Sequence, residues 1–579
     1  MEEEKGMGDM RVKEGYTQDG TVDLKGRPIL RSKGGRWKAC SFTVGYELFE
    51  RLAFFGVLTN LVVYLSTRLH EGTVKSANNV TNWIGTTWML SILGAYVADT
   101  YLGRYWTFVV SSAVYFAGMC LLFLSVTLPA LKPPICGPGV LPQDCNDRPS
   151  SFQVGIFYAA LYIMALGNGG TKSNISAIGA DQFDVYEPKE KAQKLSFFNW
   201  WMFTIYLGQL CANTVIVYIQ DNVGWSLGYG LPTIGLAIST IVFLVGTPFY
   251  RHKVRSGSPF THMAMVLVAA LRKCKVPLPD EPKDLYELKP DEYARAQKRR
   301  IDHTPSLRIL DKAAVKTGLS SPWRLCPVTR VEETKQMIKM IPVLIVTFVP
   351  AMVMAQVNTL FIKQGITLER SLGQNFDIPP ACLGVFVTLS MLVSIVIYDC
   401  YFVPLVRRYT KNARGVTILQ RMGIGIVLHI MVMLTAFLME RKRLQVIKDN
   451  GITGKSVIVP LPIFILLPQY VLMGVSASFF LVANLEFFYD QAPESMKSIG
   501  TSYYTSSLGI GQFLSSFLLK TVANITERRG TGWILDNINL SHLDYYYAFL
   551  GILSFLNLML FLVFTKWYVY KVEPESEEE

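Results

Sequence analysis

Apolar runs long enough to cross a bilayer punctuate the whole chain, and they leave it few ways to fold. Residues 105–128 (YWTFVVSSAVYFAGMCLLFLSVTL) and 544–566 (DYYYAFLGILSFLNLMLFLVFTK) are the clearest. A helix needs about 20 residues to cross the hydrocarbon core. Lipid offers no partner to loose backbone N–H and C=O groups, so each run must be a helix or a strand of a closed barrel. The runs are continuous rather than alternating, which selects helices. Only 17% of the 579 residues are charged, against about 25% in soluble domains. Residues 1–38 are polar and charged, so no cleavable signal peptide is expected and the first span inserts the chain.

Run length predicts about twelve spans: 39–67, 77–98, 105–128, 152–178, 195–219 and 224–248, then 337–362, 379–405, 417–439, 459–489, 495–523 and 544–570. The chain therefore divides into an N-terminal segment (1–38), a six-helix bundle (39–249), a central loop (250–336), a second six-helix bundle (337–570) and an acidic tail (571–579). The loop carries Arg251, Lys253, Arg255, Arg272, Lys273, Lys275, Lys298, Arg299 and Arg300, which places it in the cytoplasm. Both termini then lie on the same side, as do Arg407, Arg408, Lys411 and Arg414, whereas Arg441, Lys442 and Arg443 fall outside and oppose the rule. The expected class is all-α integral membrane, and six plus six helices around a long loop resembles the major facilitator fold.

The net charge of +12 belongs largely to these loops, so nucleic acid is not an expected partner. No CxxC or His-linked metal spacing occurs among nine cysteines and six histidines, and no metal or organic cofactor is expected. A membrane enzyme would need a converging nucleophile, metal or base set, and none is legible. Cys136 and Cys145 bracket a loop expected outside the cytosol and are either a disulfide or free thiols. Sequons at Asn524 and Asn539 fall near an outer loop. Nothing in the sequence sets an oligomeric state.

Ionisable groups inside a span are expensive and mark function by default. Glu47, Glu50 and Arg51 lie in the first span at i, i+3 and i+4 and share one helix face. Two carboxylates beside one guanidinium can trade a proton against an ion pair, which frees Arg51 for an anionic group. Burying three charges for stability alone is usually unprofitable. In the fourth span Lys172 follows Gly167, Gly169 and Gly170, which permit close helix approach. Its ammonium can enter a central cavity and meet Glu47, Glu50 or a ligand carboxylate. Asp99 with Arg104, and Asp399 ahead of Arg407 and Arg408, recur at equivalent helix ends of the two halves. Such pairs can hold two domains in one state and release them in another.

The ExxER set, Asp99–Arg104, GADQFD (179–184), FFN (197–199), HTPSLRILDKAA (303–314), LQRMGIG (419–425) and LEFFYDQ (485–491) together resemble the plant nitrate and peptide transporter family. That family belongs to the proton-dependent oligopeptide transporters of the major facilitator superfamily, and the resemblance runs from about residue 17 to 570. It implies proton symport of a small solute across the plasma or vacuolar membrane, with Glu47, Glu50, Arg51 and Lys172 as the coupling set. It also implies departures. Ala477 stands where peptide carriers have an acidic residue, and Met354 where a nitrate carrier has His. Phe54 and Phe55 replace tyrosines, Ser173 a proline and Cys400 an arginine. Gln356 and Asn358 beside Met354 are candidate substrate contacts. Thr100 matches a position phosphorylated in a relative. Trp200, Trp201, Phe203, Phe361, Phe479 and Asn484 indicate a roomy apolar site. Di- and tripeptides are the favoured substrates; nitrate or another plant metabolite is the alternative, and a transport-inactive receptor the second.

Overall fold

The computed structural model describes residues 15–568 except 18, 135–147, 185, 254–256, 280, 290–291, 294–299, 319–320, 374–375, 411–414, 455–456 and 531. Cys136, Cys145 and the acidic tail lie outside the described residues. Among the described residues, ten helices are long and apolar enough to cross a membrane. They are α1 (Arg36–Thr67), α3 (Arg104–Thr127), α4 (Ser151–Ala180), α5 (Pro188–Val223), α6 (Trp225–Val245), α10 (Pro380–Thr410), α11 (Ile418–Asp449), α12 (Ile463–Gln491), α13 (Glu494–Arg528) and α14 (Leu543–Trp567). An eleventh crossing is the pair α8 (Val328–Val346) and α9 (Phe348–Ile366), bent by 41°. The twelfth long helix, α2 (Thr73–Val97), has 25 residues and is diluted by Asn78, Asn79 and Asn82. It nevertheless packs between α4 and α13. The short α7 (Pro259–Arg272) lies in the central loop.

Local chemistry sets several boundaries. Ser150 and Thr417 cap α4 and α11, each in a reciprocal box with the Gln three residues on. Pro188 and Pro259 open α5 and α7 at positions where the missing N–H costs nothing. Small residues bring α2 against α4: a Cβ on Gly94 would stand 2.7 Å from Gly170 Cα and 2.8 Å from Gly169 O. Asp99 and Asp399, the paired motifs of the two halves, both sit on π-helical turns, at Ala98–Leu102 and Tyr398–Phe402. The internal echo therefore extends to backbone geometry.

One apolar core runs through the first six long helices, joined by Ile362 and Ala381; two more run through the last six, one of them taking in Ala77 of α2. The central loop carries its own small core, in which Val266, Leu310, Cys326 and Val331 pack together. The termini of the long helices define two faces, the loop face bearing the central loop and the far face opposite. At the far face β1 (Leu368–Glu369) pairs with β2 (Val459–Pro462). Polar contacts between the two helix sets gather there: Lys363 Nζ with Ser66 Oγ, Thr73 N–H donating to Asp536 Oδ1 at 2.8 Å, and Arg370 with Asp221 at 4.0 Å.

The opposing cluster Arg441–Arg443 is explained by α11, which continues to Asp449. These residues lie on a helix rather than in a loop. Arg443 is buried and donates to Glu440 at 2.6 and 2.8 Å. Asn539 is buried too, accepting from Arg443 and donating to Gly454 O and Val457 O, whereas Asn524 is exposed on α13.

Candidate functional site

The charged residues of α1 meet inside the first helix set. Glu47 and Glu50 are each 1% exposed and Arg51 6%, so water screens none of them. Arg51 Nε lies 2.7 Å from Glu47 Oε1 and 2.9 Å from Glu50 Oε2. Its single hydrogen is donated to Glu47. Glu50 is held from the other side by Asn168 Nδ2, which donates to Oε1. Glu47 Oε2 has no hydrogen-bond donor, and neither has Glu50 Oε2, which faces Arg51 Nε without receiving its hydrogen. One guanidinium thus faces two carboxylates, an arrangement that can accept a proton and release Arg51 from one partner. Gly208 makes room for it, since a Cβ there would stand 2.7 Å from Arg51 Cβ.

Lys172 lies one helical turn beyond Asn168 on α4. Its ammonium forms no ion pair with either glutamate and instead rests over the Trp88 ring, 3.2 Å from the centroid, with Phe54 at 5.5 Å. Such a seat stabilises a cation while leaving it free to turn toward an anion. Phe54 is itself buried and stacked on Trp83.

Candidates in the second helix set are spread out. Met354 ends the first half of α9 and is half-buried, as is Asn358. Gln356 is buried and donates to Met352 O at 3.1 Å and Ser515 Oγ at 3.4 Å. Ala477 is buried between two engaged serines: Ser476 meets His429 Nδ1 at 2.9 Å and Ser478 meets Ser394 at 2.8 Å. Phe361 and Trp201 are core residues, whereas Trp200 and Phe203 are exposed.

At the loop face Arg104 pairs with Asp181 at 2.5 Å, within its own helix set, and not with the neighbouring Asp99. Thr100 is half-buried with its hydroxyl oxygen enclosed and unpartnered, and Asp399 is exposed. In the second half Arg421 sits over the Tyr398 ring at 4.1 Å and faces Glu486 at 3.8 Å. The loop motifs clamp the same face. Arg251, 1% exposed, pairs with Glu190 at 2.7 Å and donates to Gly34 O and Gln182 O. Arg31 pairs with Asp184 at 3.0 Å and Glu187 at 2.9 Å. His303, Asp311 and Glu332 cluster as metal ligands would. Lys335, however, stands between the two carboxylates at 2.7 Å from each and supplies the cation.

Over residues 105–534 the sequence matches the POT family. Protein NRT1/PTR FAMILY 5.2 of Arabidopsis thaliana is 60% identical over 563 residues, which cover 97% of this chain and 96% of that protein. Protein NRT1/PTR FAMILY 8.1 of the same plant is 45% identical over 570 residues, covering 97% and 99%. The chain belongs to the POT family. Among solved structures, an auto inhibited POT family peptide transporter superposes with a TM-score of 0.66 at 19% identity, over 93% of this chain and 98% of that one. A POT family transporter in complex with 5-aminolevulinic acid gives 0.61 at 13% identity, over 91% and 96%. At such identities the likeness concerns the fold, which is the major facilitator type. For this POT-family protein the sequence-derived coupling set of α1 is compact, while the contacts expected from the second helix set are not gathered around it. Asn168 and Trp88 join the site as residues that the sequence reading passed over. The signal for Asn168 was present: it lies four residues before Lys172, on the same helix face.

Proposed function

We propose that this POT-family transporter is a proton-coupled symporter of small solutes, with di- and tripeptides favoured. The observation that carries the reading is the buried Glu47–Arg51–Glu50 set, with Asn168 behind Glu50 and Lys172 seated on Trp88 nearby. A proton arriving at either glutamate weakens its hold on Arg51. The guanidinium, with Lys172, then accepts the carboxylate of the solute, and both cargoes move together. The loop face and both termini are cytoplasmic, with the chain in the plasma or vacuolar membrane. Asp99, Arg104 and Asp399 work at the loop-face ends of the two bundles. Gln356, Asn358, Met354 and Ala477 contribute the second bundle's side of the substrate site.

A buried Ala477 with no carboxylate offers nothing to a peptide's amino group, and this favours nitrate or another anionic metabolite as a second reading. Uptake and inward current in oocytes, at acidic and neutral outside pH, with a hydrophobic dipeptide and nitrate tested in parallel, separate the two. Acid-stimulated dipeptide uptake supports peptide symport. Acid-stimulated nitrate uptake alone transfers the site to the anion. The variant Glu50→Gln should abolish the pH-gradient dependence of uptake at unchanged surface abundance; gradient-driven uptake that survives it removes Glu50 from coupling.

A further inference from the structure

A cavity of about 760 Å³ opens at the far face between α2 and α13, one helix from each set. Its volume falls in the range of small-molecule pockets, roughly 300–1,000 Å³, and its lining sets polar and charged side chains, Asp536 among them, beside apolar ones such as Phe513 and Phe517. Lys75, Asn78 and Asn82 line it from α2 at i, i+3 and i+7, one helix face. Lys520, Asn524 and Glu527 line it from α13 at i, i+4 and i+7. Lys75 shares its charge with Glu71 at 3.1 Å. Asn78 is only 9% exposed, and its carbonyl oxygen has no hydrogen-bond partner. A carboxamide left so at the edge of a bilayer is costly, and it calls for a polar occupant.

The walls carry both signs of charge with amides between them. A simple anion would meet Glu527, and a simple cation would meet Lys520. We propose that the α2–α13 groove binds a zwitterion, with a protonated amine on Glu527 and a phosphate or carboxylate on Lys520, the carboxamides of Asn78 and Asn524 bonding the polar middle. Two sources supply that chemistry: an aminophospholipid headgroup from the surrounding leaflet, or a free zwitterion from solution. The occupant touches one helix of each set, so it favours the arrangement in which the far face is closed.

The test is thermal unfolding of the purified full chain in detergent, titrated separately with lysophosphatidylethanolamine, lysophosphatidylcholine, lysophosphatidylglycerol and soluble phosphoethanolamine. Lysophosphatidylethanolamine should raise the melting temperature. The choline lipid should act more weakly, because its quaternary amine has no N–H for Glu527, and the glycerol lipid least. Lys520→Gln and Glu527→Gln should each raise the half-saturating concentration about five-fold. Both side chains are at the groove wall, and each variant's ligand-free melting curve checks its fold. Stabilisation by the lysolipid alone assigns the site to the leaflet; stabilisation by phosphoethanolamine as well assigns it to solution. Equal effects of all headgroups, or saturation unchanged in both variants, overturns the proposal. The readout is binding, so it stands or falls apart from proton coupling.

Discussion

Single atoms decide the chemistry of α1. Arg51 Nε has one hydrogen for two carboxylates, and Asn168 supplies the donor that Glu50 would otherwise lack. Asn168→Ala strips that donor from a buried carboxylate, at a cost of about 1–3 kcal/mol. Surface-normalised uptake should fall about tenfold at every pH, and an unchanged rate would show that Glu50 does not depend on this bond. The positions of Glu47, Glu50 and Arg51 were legible because i, i+3 and i+4 spacing alone puts them together. The partners of Lys172 and Arg104 were not. An ammonium choosing an indole over a carboxylate, and an arginine choosing Asp181, 77 residues on, over the nearby Asp99, are decided by tertiary packing that no local spacing records.

Helices, by contrast, were legible almost throughout, because apolar length is a one-dimensional signal. What escaped was their ends: α11 runs ten residues past the expected limit of 439, to Asp449, since a buried Glu440–Arg443 pair lets charged residues stay helical. Where two helices touch, tolerance is small. Gly94→Ala forces backbone apart between α2 and α4 and should cost about 1–3 kcal/mol, read as a lower melting temperature in detergent. The segment before α1 is held to the loop face by paired backbone bonds between Val22 and His252, 2.8 and 2.9 Å long. Burial holds the His252 imidazole below its ordinary value. The unfolded imidazole therefore takes a proton first as pH falls below about 6.5. The stability that neutral His252 lends is full above that pH and is lost on acidification through its lower folded value. Amide protection over 20–30, taken relative to the intrinsic exchange rate at each pH, should fall between pH 7.5 and 5.5. His252→Phe should remove that pH response.

Among the described residues, the two helix sets are joined by the packing of α2 on α13 and by a small number of polar cross-links. Lys363, 5% exposed, reaches across to Ser66. Lys363→Ala should loosen the far face, so that an impermeant maleimide labels Cys382 faster when the other cysteines are serine; an unchanged rate would show that closure does not rest on this contact. The loop face has a different anchor in Arg251. Arg251→Ala leaves buried Glu190 with the Arg36 guanidinium and the Asp184 N–H as its remaining partners, and a broken buried pair costs about 3–5 kcal/mol. Protease should then cut within 15–35, where the parent chain resists. Of this anchoring only Asp184 falls in the GADQFD motif; Glu187 and Glu190 lie beyond it and the arginines lie in the loop and the N-terminal segment, so the pairing had no local sequence signal.

The far-face clasp also has a tempo. Thr73 N–H meets Asp536, 463 residues later in the chain. At about 5–20 residues per second of synthesis, the ribosome needs roughly half a minute to a minute and a half to deliver that partner. Through this interval Gly72 and Thr73 stay unclasped, and the first six long helices are complete only for its later part, once Val245 is made. A chain stopped before residue 536 would keep its buried glutamates and its Lys363–Ser66 and Arg370–Asp221 contacts, yet would lack the clasp at Thr73, so the far face closes in stages and the last hairpin completes it.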